Sequence, residues 1–346
     1  MTVQKAIQIK ALGHAELITD APIPKLRDDY IIVKTAAVAL NPTDWKHIDF
    51  LARPGAIVGC DYSGTVEQIG AAVRNGLKVG DRVMGLIHGS NQSNHENGAF
   101  AERVAAKGDI QMKVPEEMTS EDASTLGAGI ITMGQSLYQS LGLPQPDDPA
   151  KEPIPLLIYG GSIATGTLAI QFGKMSGLTV ITTCSPHNEK LVRDMGADYV
   201  FDYNSPDCAA NIRTVTGHQL RHVFDTVSTE DTAKLCCEAI GAQGGKYTSL
   251  APIEKLPRDD VSNGNTMAYT AVGEAFKLGD NHIPAKPEDF AFAVKFTTLA
   301  QDLLFQHRFR AHPTSLRRGG LDGVLDGLQE MRDGQVSGVK LVYSLN

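Results

Sequence analysis

In the first 125 residues the apolar positions recur in short alternating or β-branched runs, which is the pattern of half-buried strands. Gly, Asp and Asn interrupt these runs, as turns require. The predicted strands are Tyr30–Val38, Gly64–Ile69, Arg82–Ile87 and Phe100–Val104. This part of the chain is therefore predicted to be mostly β-structure.

From about residue 154 to residue 270 the pattern changes, because strand-length apolar runs alternate with helical patterns. The predicted strands are Leu156–Tyr159, Thr179–Cys184, Tyr199–Asp202, His222–Asp225 and Lys246–Ser249. The predicted helices are Thr165–Ser176, His187–Met195, Cys208–Val215 and Asp231–Ile240. Repeated βα units of this length predict a parallel sheet with helices on both faces.

Two more segments complete the predicted organisation. The stretch GLPQPDDPAKEPIP at residues 142–155 is rich in Pro and Asp and cannot propagate a helix, so it is predicted to be a surface linker between the two halves. Further along, Leu321–Arg332 is predicted to be a helix and Gly338–Tyr343 a strand.

Length and charge limit the possible functions. The chain has 346 residues, 42% of them hydrophobic, which is enough for two domains with sizeable cores. A net charge of −8 argues against a nucleic-acid binder or a membrane-surface protein. No apolar run reaches the ~20 residues of a membrane span, and the start of the sequence lacks the apolar core of a signal peptide.

The cysteines indicate the compartment. They are odd in number and irregularly spaced, so no disulfide framework is expected and a reducing, cytoplasmic location is favoured. The five cysteines are Cys60, Cys184, Cys208, Cys236 and Cys237.

A glycine-rich turn, LLIYGGSIATGT at residues 156–167, joins a predicted strand to a predicted helix. Gly160 and Gly161 allow a tight turn, and Gly166 allows the helix to approach the strand closely. The backbone N–H groups at the start of such a helix bind phosphate, and Ser162 and Thr165 add hydroxyl donors. We interpret the turn as a dinucleotide site; the alternative is an ordinary βα turn.

The end of the second strand indicates which dinucleotide is bound. NAD-binding folds usually place a carboxylate there, whereas this chain has none before Glu189. Ser185, His187 and Asn188 can donate hydrogen bonds, and Lys190 is nearby, so a 2′-phosphate would be accepted. These residues favour NADP(H) over NAD(H). The alternative role for Ser185 is to cap the following helix, which has Pro186 at its first position.

The chain resembles the medium-chain dehydrogenase/reductase superfamily over nearly its whole length, and within it the fungal trans-acting enoyl reductases that serve polyketide synthases. The superfamily motifs are Gly59-Cys60-Asp61-Tyr62-Ser63-Gly64-Thr65-Val66, Val79-Gly80-Asp81-Arg82-Val83 and Gly98-Ala99-Phe100-Ala101-Glu102. The closer match lies in Asn41-Pro42-Thr43-Asp44, Tyr159-Gly160-Gly161-Ser162-Ile163-Ala164-Thr165 and Cys184-Ser185-Pro186-His187-Asn188.

The resemblance implies an α/β fold with two domains. A GroES-like, β-rich catalytic domain would comprise residues 1–127 and a returning segment, residues 305–346. A Rossmann domain with a doubly wound parallel sheet, residues 128–304, would bind the cofactor.

No zinc site is expected, although many members of the superfamily are zinc alcohol dehydrogenases. The Gly-His-Glu motif of the family would fall at Gly59-Cys60-Asp61, where the histidine is missing. No cysteine lies near Asn41–Asp44, where another ligand would be, nor in residues 88–110, where the four-cysteine structural lobe would be. A catalytic zinc needs three protein ligands, and this sequence does not supply them. Without zinc there is no Lewis acid for alcohol oxidation, so the expected substrate is a carbonyl that is already conjugated to a double bond.

An enoyl thioester meets this requirement. Hydride transfer to its β-carbon leaves an enolate, which the site must stabilise and protonate. Lys46 is the candidate for a positive group near the developing oxyanion, with Asp44 orienting it; the alternative is a surface lysine. Tyr138, Thr132 or water are alternative proton donors.

The resemblance also implies contacts with NADPH and with the substrate. Cofactor contacts are expected from Thr43, Asp44, Trp45, Lys46, Ser162, Ile163, Ala164, Thr165, Ser185, Pro186, His187, Asn188, Tyr203, Leu250, Ala251, Leu341 and Val342. For the last two pairs, strand-end packing is the alternative. Substrate contacts are expected from Thr132, Met133, Gly134, Gln135, Ser136, Leu137, Tyr138, Gln139, Thr270, Ala271, Val272, Gly273 and Glu274.

The expected function is reduction of a polyketide enoyl thioester carried by an acyl carrier protein. Basic residues near His307 and His312 are candidates for docking this acidic partner, or else form a solvated basic turn; they are Arg308, Arg310, Arg317 and Arg318. A freestanding quinone or enone reductase and an NADPH-binding interaction protein without turnover are the alternatives. The polar segment Pro252–Asn265 discourages strand pairing between copies, so a monomer is expected.

Overall fold

The computed structural model describes residues 3–51 and 53–345, so the predicted domain limits at residues 1 and 346 lie outside the described residues. The chain divides into two compact units. The β-rich unit comprises the described residues of Met1–Ile131 and Tyr269–Asn346, and the parallel-sheet unit is Thr132–Ala268.

The β-rich unit contains one large sheet and two small ones. Its strands are β1 (Val3–Ala11), β2 (His14–Pro22), β3 (Tyr30–Ala39), β4 (Asp61–Ile69), β5 (Arg82–Leu86), β6 (Arg103–Lys107), β7 (Met112–Lys113), β14 (Phe276–Leu278), β15 (Asn281–Ile283), β16 (Thr314–Arg317) and β17 (Lys340–Ser344). Its helices are α1 (Pro42–Phe50), α2 (Ser120–Ala123), α3 (Gly127–Gly134), α8 (Pro287–Phe305) and α9 (Gly320–Arg332), and α3 continues into the second unit.

Strand β3 is the centre of the large sheet, whose order is β16-β17-β3-β4-β5-β7. Strand β4 pairs along one edge of β3, while β6 and β17 pair with the two halves of its other edge. Because β3 has neighbours on both edges and is covered on both faces, nearly all of its residues are buried. This apolar run, YIIVKTAAVA, is the strongest strand signal in the first part of the sequence.

The parallel-sheet unit has the predicted alternation of strands and helices. Its strands are β8 (Ile154–Tyr159), β9 (Leu178–Cys184), β10 (Tyr199–Asp202), β11 (His222–Asp225), β12 (Gly245–Ser249) and β13 (Val261–Asn265). Its helices are α4 (Ala164–Met175), α5 (Glu189–Asp194), α6 (Cys208–Val215) and α7 (Glu230–Ala239). The sheet order is β10-β9-β8-β11-β12-β13 and every pairing is parallel, so the predicted α/β class and doubly wound sheet are confirmed.

The order of strands reverses between β8 and β11. In doubly wound sheets, ligands bind beyond the carboxyl ends of the strands at such a reversal, because the two flanking loops leave in opposite directions. The glycine-rich turn follows β8, so the fold places it at this reversal.

The structure groups residues 269–304 differently from the sequence analysis, which assigned them to the second domain. They belong to the β-rich unit. Helix α8, which was not predicted, is joined to the large sheet of this unit by a hydrogen bond. The backbone N–H of Lys113 in β7 donates to Gln301 Oε1 at 2.7 Å.

Two local predictions were wrong. The predicted strand Phe100–Val104 begins only at Arg103, because the backbone of Phe100 pairs instead with Ile7 and Val58. The predicted linker at residues 142–155 is irregular as far as residue 153, but it lies within the parallel-sheet unit. There it is tied down by a hydrogen bond from Ala150 N to the carbonyl of Ser176 at 2.9 Å.

We expect the protein to be a monomer in solution. Strand β13 ends the parallel sheet, has five residues and exposes Ser262, Asn263 and Asn265. Short polar edge strands discourage pairing with another copy. Sedimentation velocity at micromolar concentration should give the chain mass of 37.1 kDa, and a species of twice that mass would contradict the expectation.

Candidate functional site

Three positions of the glycine-rich turn after β8 have no room for a side chain. Gly160 has φ of +81°, and a Cβ there would lie 2.6 Å from Thr226 Oγ1. A Cβ at Gly161 would lie 2.0 Å from Thr182 Oγ1. A Cβ at Gly166 would lie 2.4 Å from the carbonyl oxygen of Gly160, so only glycine lets α4 begin this close to the turn.

Helix α4 begins without a side-chain cap. Its N-cap residue is Ile163, which has no hydrogen-bonding group to offer the first N–H groups of the helix. Ala164, Thr165 and Gly166 therefore present backbone donors that a phosphate could satisfy. Both the missing Cβ atoms and the missing cap are consistent with the predicted dinucleotide site.

Hydrogen bonds link three of the predicted cofactor segments. Asn188 Nδ2 donates to Ser162 Oγ at 3.4 Å, which joins the segment after β9 to the glycine-rich turn. The hydroxyls of Ser185 and Tyr203 lie 2.8 Å apart, and the ring of Tyr203 contacts that of Tyr159 at a centroid distance of 6.1 Å.

Lys190 is placed differently from the expectation. Its Nζ donates to Asp194 Oδ2 at 2.6 Å, one helical turn along α5. The exposed Pro186 and His187 form a short 3₁₀ turn with Asn188. The hydrogen-bonding groups after β9 are those of Ser185, His187 and Asn188, and Lys190 adds a largely exposed charge that pairs with Asp194.

A buried carboxylate on the far side of the turn escaped the sequence analysis. Asp225, at the end of β11, accepts hydrogen bonds from Val227 N and Ser228 N with one oxygen, both at 2.9 Å. Its other oxygen accepts from the hydroxyls of Thr232 and Tyr247 at 2.5 and 2.7 Å. This fixes the loop that contacts Gly160.

The same loop positions the predicted residues after β12. Leu250 N donates to Ser228 Oγ at 2.8 Å, and Ser249 Oγ donates to the carbonyl oxygen of Ala251 at 2.7 Å. The other strand-end pair, Leu341 and Val342, is fully buried in β17 of the β-rich unit. Their side chains serve core packing there, which was the alternative considered from the sequence.

In the β-rich unit, the segments that the resemblance aligns with zinc-ligand motifs, at Asn41 and at Cys60-Asp61, are joined by hydrogen bonds. Asn41 Nδ2 donates to Asp61 Oδ2 at 2.9 Å and to Cys60 Sγ at 3.3 Å. Asn41 Oδ1 accepts from Lys340 Nζ at 2.9 Å, and Lys340 also forms an ion pair with Asp61. Among the described residues, no group of three or more His, Cys, Asp or Glu could hold a metal ion.

Asp44 does not orient Lys46 as the sequence analysis expected. Its side chain is 3% exposed and accepts a hydrogen bond from Asn41 N at 2.7 Å, and no described hydrogen bond or ion pair joins it to Lys46. Burial, reinforced by the nearby Asp61, raises the pKa of Asp44 to about 7. Lys46 is exposed, with its ammonium 5.7 Å from the ring centroid of Trp45.

Tyr269 lies beside Thr43 and was not predicted as a site residue. The two hydroxyls are 3.1 Å apart, and the Tyr269 ring stacks on His88 with a centroid distance of 3.9 Å. His47 Nδ1 lies 2.8 Å from the carbonyl oxygen of Thr43, which fixes that nitrogen as the donor. Burial lowers the pKa of His47 and that of His88, the latter to about 3, so both imidazoles are neutral.

Most of the predicted substrate residues at 132–139 are buried. Gln135–Ser140 forms a π-helical turn, a feature that often marks functional sites. The hydroxyl of Ser136 reaches Thr266 Oγ1 at 3.0 Å, and that of Tyr138 lies 2.9 Å from Ser176 Oγ. Burial raises the pKa of Tyr138, which makes it a poor proton donor. Only Thr132 and Gln139 of this stretch are appreciably exposed.

The other predicted substrate stretch, 270–274, lies in the β-rich unit. Glu274 accepts a hydrogen bond from Tyr30 Oη at 2.7 Å and from Lys107 Nζ at 3.3 Å. The hydroxyl of Thr270 donates to Asp289 in α8. Val272 lines a small cavity together with Tyr30, Lys107 and His88, among others.

No helix among residues 3–51 and 53–345 is long and apolar enough to cross a membrane.

Two family models match the chain. Residues 27–116 match the alcohol dehydrogenase GroES-like domain, and residues 164–267 match the zinc-binding dehydrogenase family. The first range lies in the β-rich unit and the second in the parallel-sheet unit.

Similar folds occur among solved structures. The quinone oxidoreductase from Coxiella burnetii is 23% identical, with a TM-score of 0.74, and each chain is covered completely. The CurK enoyl reductase is 16% identical, with a TM-score of 0.76 and 99% of each chain covered. At these identities the likeness shows the fold alone.

The curated relatives are closer. Trans-enoyl reductase ACTTS2 of Alternaria alternata is 48% identical over 100% of both chains. Trans-enoyl reductase resD of Aspergillus sclerotiorum is 44% identical over 98% of this chain and 99% of its own. Trans-enoyl reductase TOXD of Cochliobolus carbonum is 51% identical over 80% of this chain and 93% of its own. The protein therefore belongs to the trans-enoyl reductase family of the medium-chain dehydrogenase/reductase superfamily.

Proposed function

We propose that the protein uses NADPH to reduce the α,β-double bond of a polyketide thioester carried by the acyl carrier protein of a separate synthase. The observation that carries this proposal is the similarity to trans-enoyl reductases over the whole chain. Quinone reductases share the fold at much lower identity and do not change this choice.

The cofactor fits the residues of the parallel-sheet unit. The glycine-rich turn leaves the space that Cβ atoms would fill, and the uncapped start of α4 offers backbone donors to a pyrophosphate. Ser185, His187 and Asn188 offer donors to a 2′-phosphate without a carboxylate to repel it. When bound, the reduced nicotinamide supplies a hydride to the β-carbon of the substrate.

The β-rich unit would supply the charge and the proton. Hydride addition places negative charge on the thioester oxygen, and a nearby ammonium lowers the energy of that state. Lys46 is the proposed ammonium, because it is exposed and lies in α1, three residues after Thr43. Asp44 is proposed as an internal acid, since a carboxyl with a pKa of about 7 retains a proton near neutral pH.

We expect turnover with an enoyl thioester and no dependence on zinc. Purified protein should consume NADPH with an enoyl-carrier protein and with the corresponding N-acetylcysteamine thioester, and a chelator should not reduce the rate. Reduction of quinones alone would favour a freestanding quinone reductase. Binding of NADPH without turnover on any substrate would indicate an interaction protein instead.

The candidate docking residues can be tested in the same assay. Arg308 and Arg318 are exposed, whereas Arg317 donates to Glu330 and His312 is buried and does not belong to a surface patch. Reversing Arg308 and Arg318 to Glu should slow only the reaction of the carrier-bound substrate at low salt. The small thioester is the internal control.

We expect NADPH to bind at least about tenfold more tightly than NADH, which corresponds to ~1.4 kcal/mol. Ser185→Asp should weaken NADPH binding through repulsion of the 2′-phosphate and leave NADH binding unweakened. Fluorescence titration with both cofactors measures this. Equal affinities in the wild type would show that the segment after β9 does not recognise the phosphate.

Asp44 should make stability depend on pH. Because its folded pKa is about 7 and an ordinary carboxyl titrates near ~4, the folded protein holds the extra proton between these values. The free energy of unfolding that the protonated Asp44 contributes is therefore lost as pH rises through this window. Asp44→Asn has no group to titrate at this position, so its free energy of unfolding should not fall for this reason.

The free energy of unfolding of Asp44→Asn, relative to the wild type, should rise by on the order of 1–3 kcal/mol from about pH 5 to about pH 8. Urea unfolding at several pH values measures this difference. The exposed Asp20→Asn is the control and should show no such slope. A pH-independent difference for Asp44→Asn would contradict a raised pKa.

A further inference from the structure

One buried ammonium joins four segments of the β-rich unit. The side chain of Lys340 in β17 is 4% exposed. Its Nζ donates to Asp61 Oδ2 in β4, to Asn41 Oδ1 at 2.9 Å and to the carbonyl oxygen of Thr125 at 3.3 Å. Each of the three ammonium protons therefore has an acceptor.

Asp61 is equally constrained. It is fully buried, and its Oδ1 accepts a hydrogen bond from Ala128 N at 2.6 Å, at the start of α3. Its Oδ2 accepts from Asn41 Nδ2 as well as from Lys340. Lys340 and Asp61 together hold both ends of the Asn41 amide, so this side chain has a single orientation.

Asn41 in turn sets the start of α1, of which it is the N-cap residue. Its side-chain amide is held by Lys340 and Asp61. Two hydrogen bonds close the turn: Asn41 N donates to the side-chain Oδ2 of Asp44 at 2.7 Å, and Asp44 N donates to the carbonyl oxygen of Asn41 at 3.0 Å. The orientation of Thr43, Trp45 and Lys46 therefore follows from that of Asn41.

Stability alone does not explain this arrangement. Burying two opposite charges costs desolvation energy, and apolar residues of similar size often replace such a pair without loss of stability. An ion pair adds a defined geometry, because its hydrogen bonds tolerate only a narrow range of distances and angles. Here this geometry constrains the orientation of the start of α1, the helix that carries Lys46.

We infer that Lys340, acting with Asp61 through Asn41, is a positioning residue for the reduction: it holds the Thr43–Lys46 turn in its working orientation. The inference rests on the proposed function for the role of that turn. The turn itself can be observed independently, because Trp45 is the single tryptophan of the chain.

The test compares a single variant with a double variant. Lys340→Met leaves Asp61 buried without its cation and should lower the unfolding temperature strongly. The double variant Lys340→Met/Asp61→Asn removes both charges and should recover most of that loss. If the pair positions the turn, kcat with an enoyl thioester should remain at least about tenfold below wild type in the double variant.

An ion pair between α9 and α1 provides the matched control. Arg332 in α9 donates two hydrogen bonds to Asp49 near the end of α1, both at 2.9 Å. The variant Arg332→Met/Asp49→Asn removes an ion pair from α1 but leaves Asn41 in place. Its kcat should be within about twofold of wild type.

Trp45 fluorescence separates failure of this inference from failure of the proposed function. Acrylamide quenching of Trp45 should increase in Lys340→Met/Asp61→Asn and stay unchanged in Arg332→Met/Asp49→Asn, whether or not any substrate is turned over. Recovery of stability together with wild-type quenching and wild-type kcat would overturn the inference. If no thioester is reduced by the wild type, the proposed function fails, and the quenching result alone decides the positioning role.

Discussion

A positive charge buried inside a protein must be matched by negative charge and by hydrogen-bond acceptors, and much of the β-rich unit near Asn41 follows from how Lys340 meets this need. Strands β17 and β4 supply the ammonium and the carboxylate, the segment before α3 supplies a carbonyl, and Asn41 bridges them. Movement of any of these segments would leave a buried charge or amide without a partner, which is costly. The network therefore couples the sheet to the first turn of α1.

In the parallel-sheet unit the main constraint is steric, because the glycine-rich turn packs too closely for side chains. Gly160, Gly161 and Gly166 are each required because a Cβ would meet another atom at 2.6 Å or less. The buried Asp225 accepts four hydrogen bonds, two of them from backbone N–H groups of the loop on the other side of Gly160. Rigid loops on both sides leave the backbone donors at the start of α4 fixed before any ligand arrives, which lowers the entropy cost of binding.

The sequence predicted the local features well and the distant ones poorly. Strand β10, helix α6 and strand β11 have the predicted limits, because short βα units carry their periodicity within a few residues. Helix α8 was missed although its buried positions, Ala293, Phe296, Thr297 and Ala300, have helical spacing. The contact between Lys340 and Asp61 joins residues 279 positions apart, and that between Thr43 and Tyr269 joins residues 226 apart. No local pattern signals either contact.

The same network limits the chemistry. A metal ion polarises a substrate oxygen because it keeps a coordination position open. Lys340 is a cation beside the segments that the resemblance aligns with zinc-ligand motifs, but all three of its protons are engaged by Asp61, Asn41 and Thr125. It cannot bind a substrate carbonyl without breaking one of these bonds. Lys46, which is exposed on α1, is the cation that we propose for stabilising the enolate. In the proposed arrangement the buried Lys340 would hold the first turn of α1 in place, and the exposed Lys46 would provide the charge.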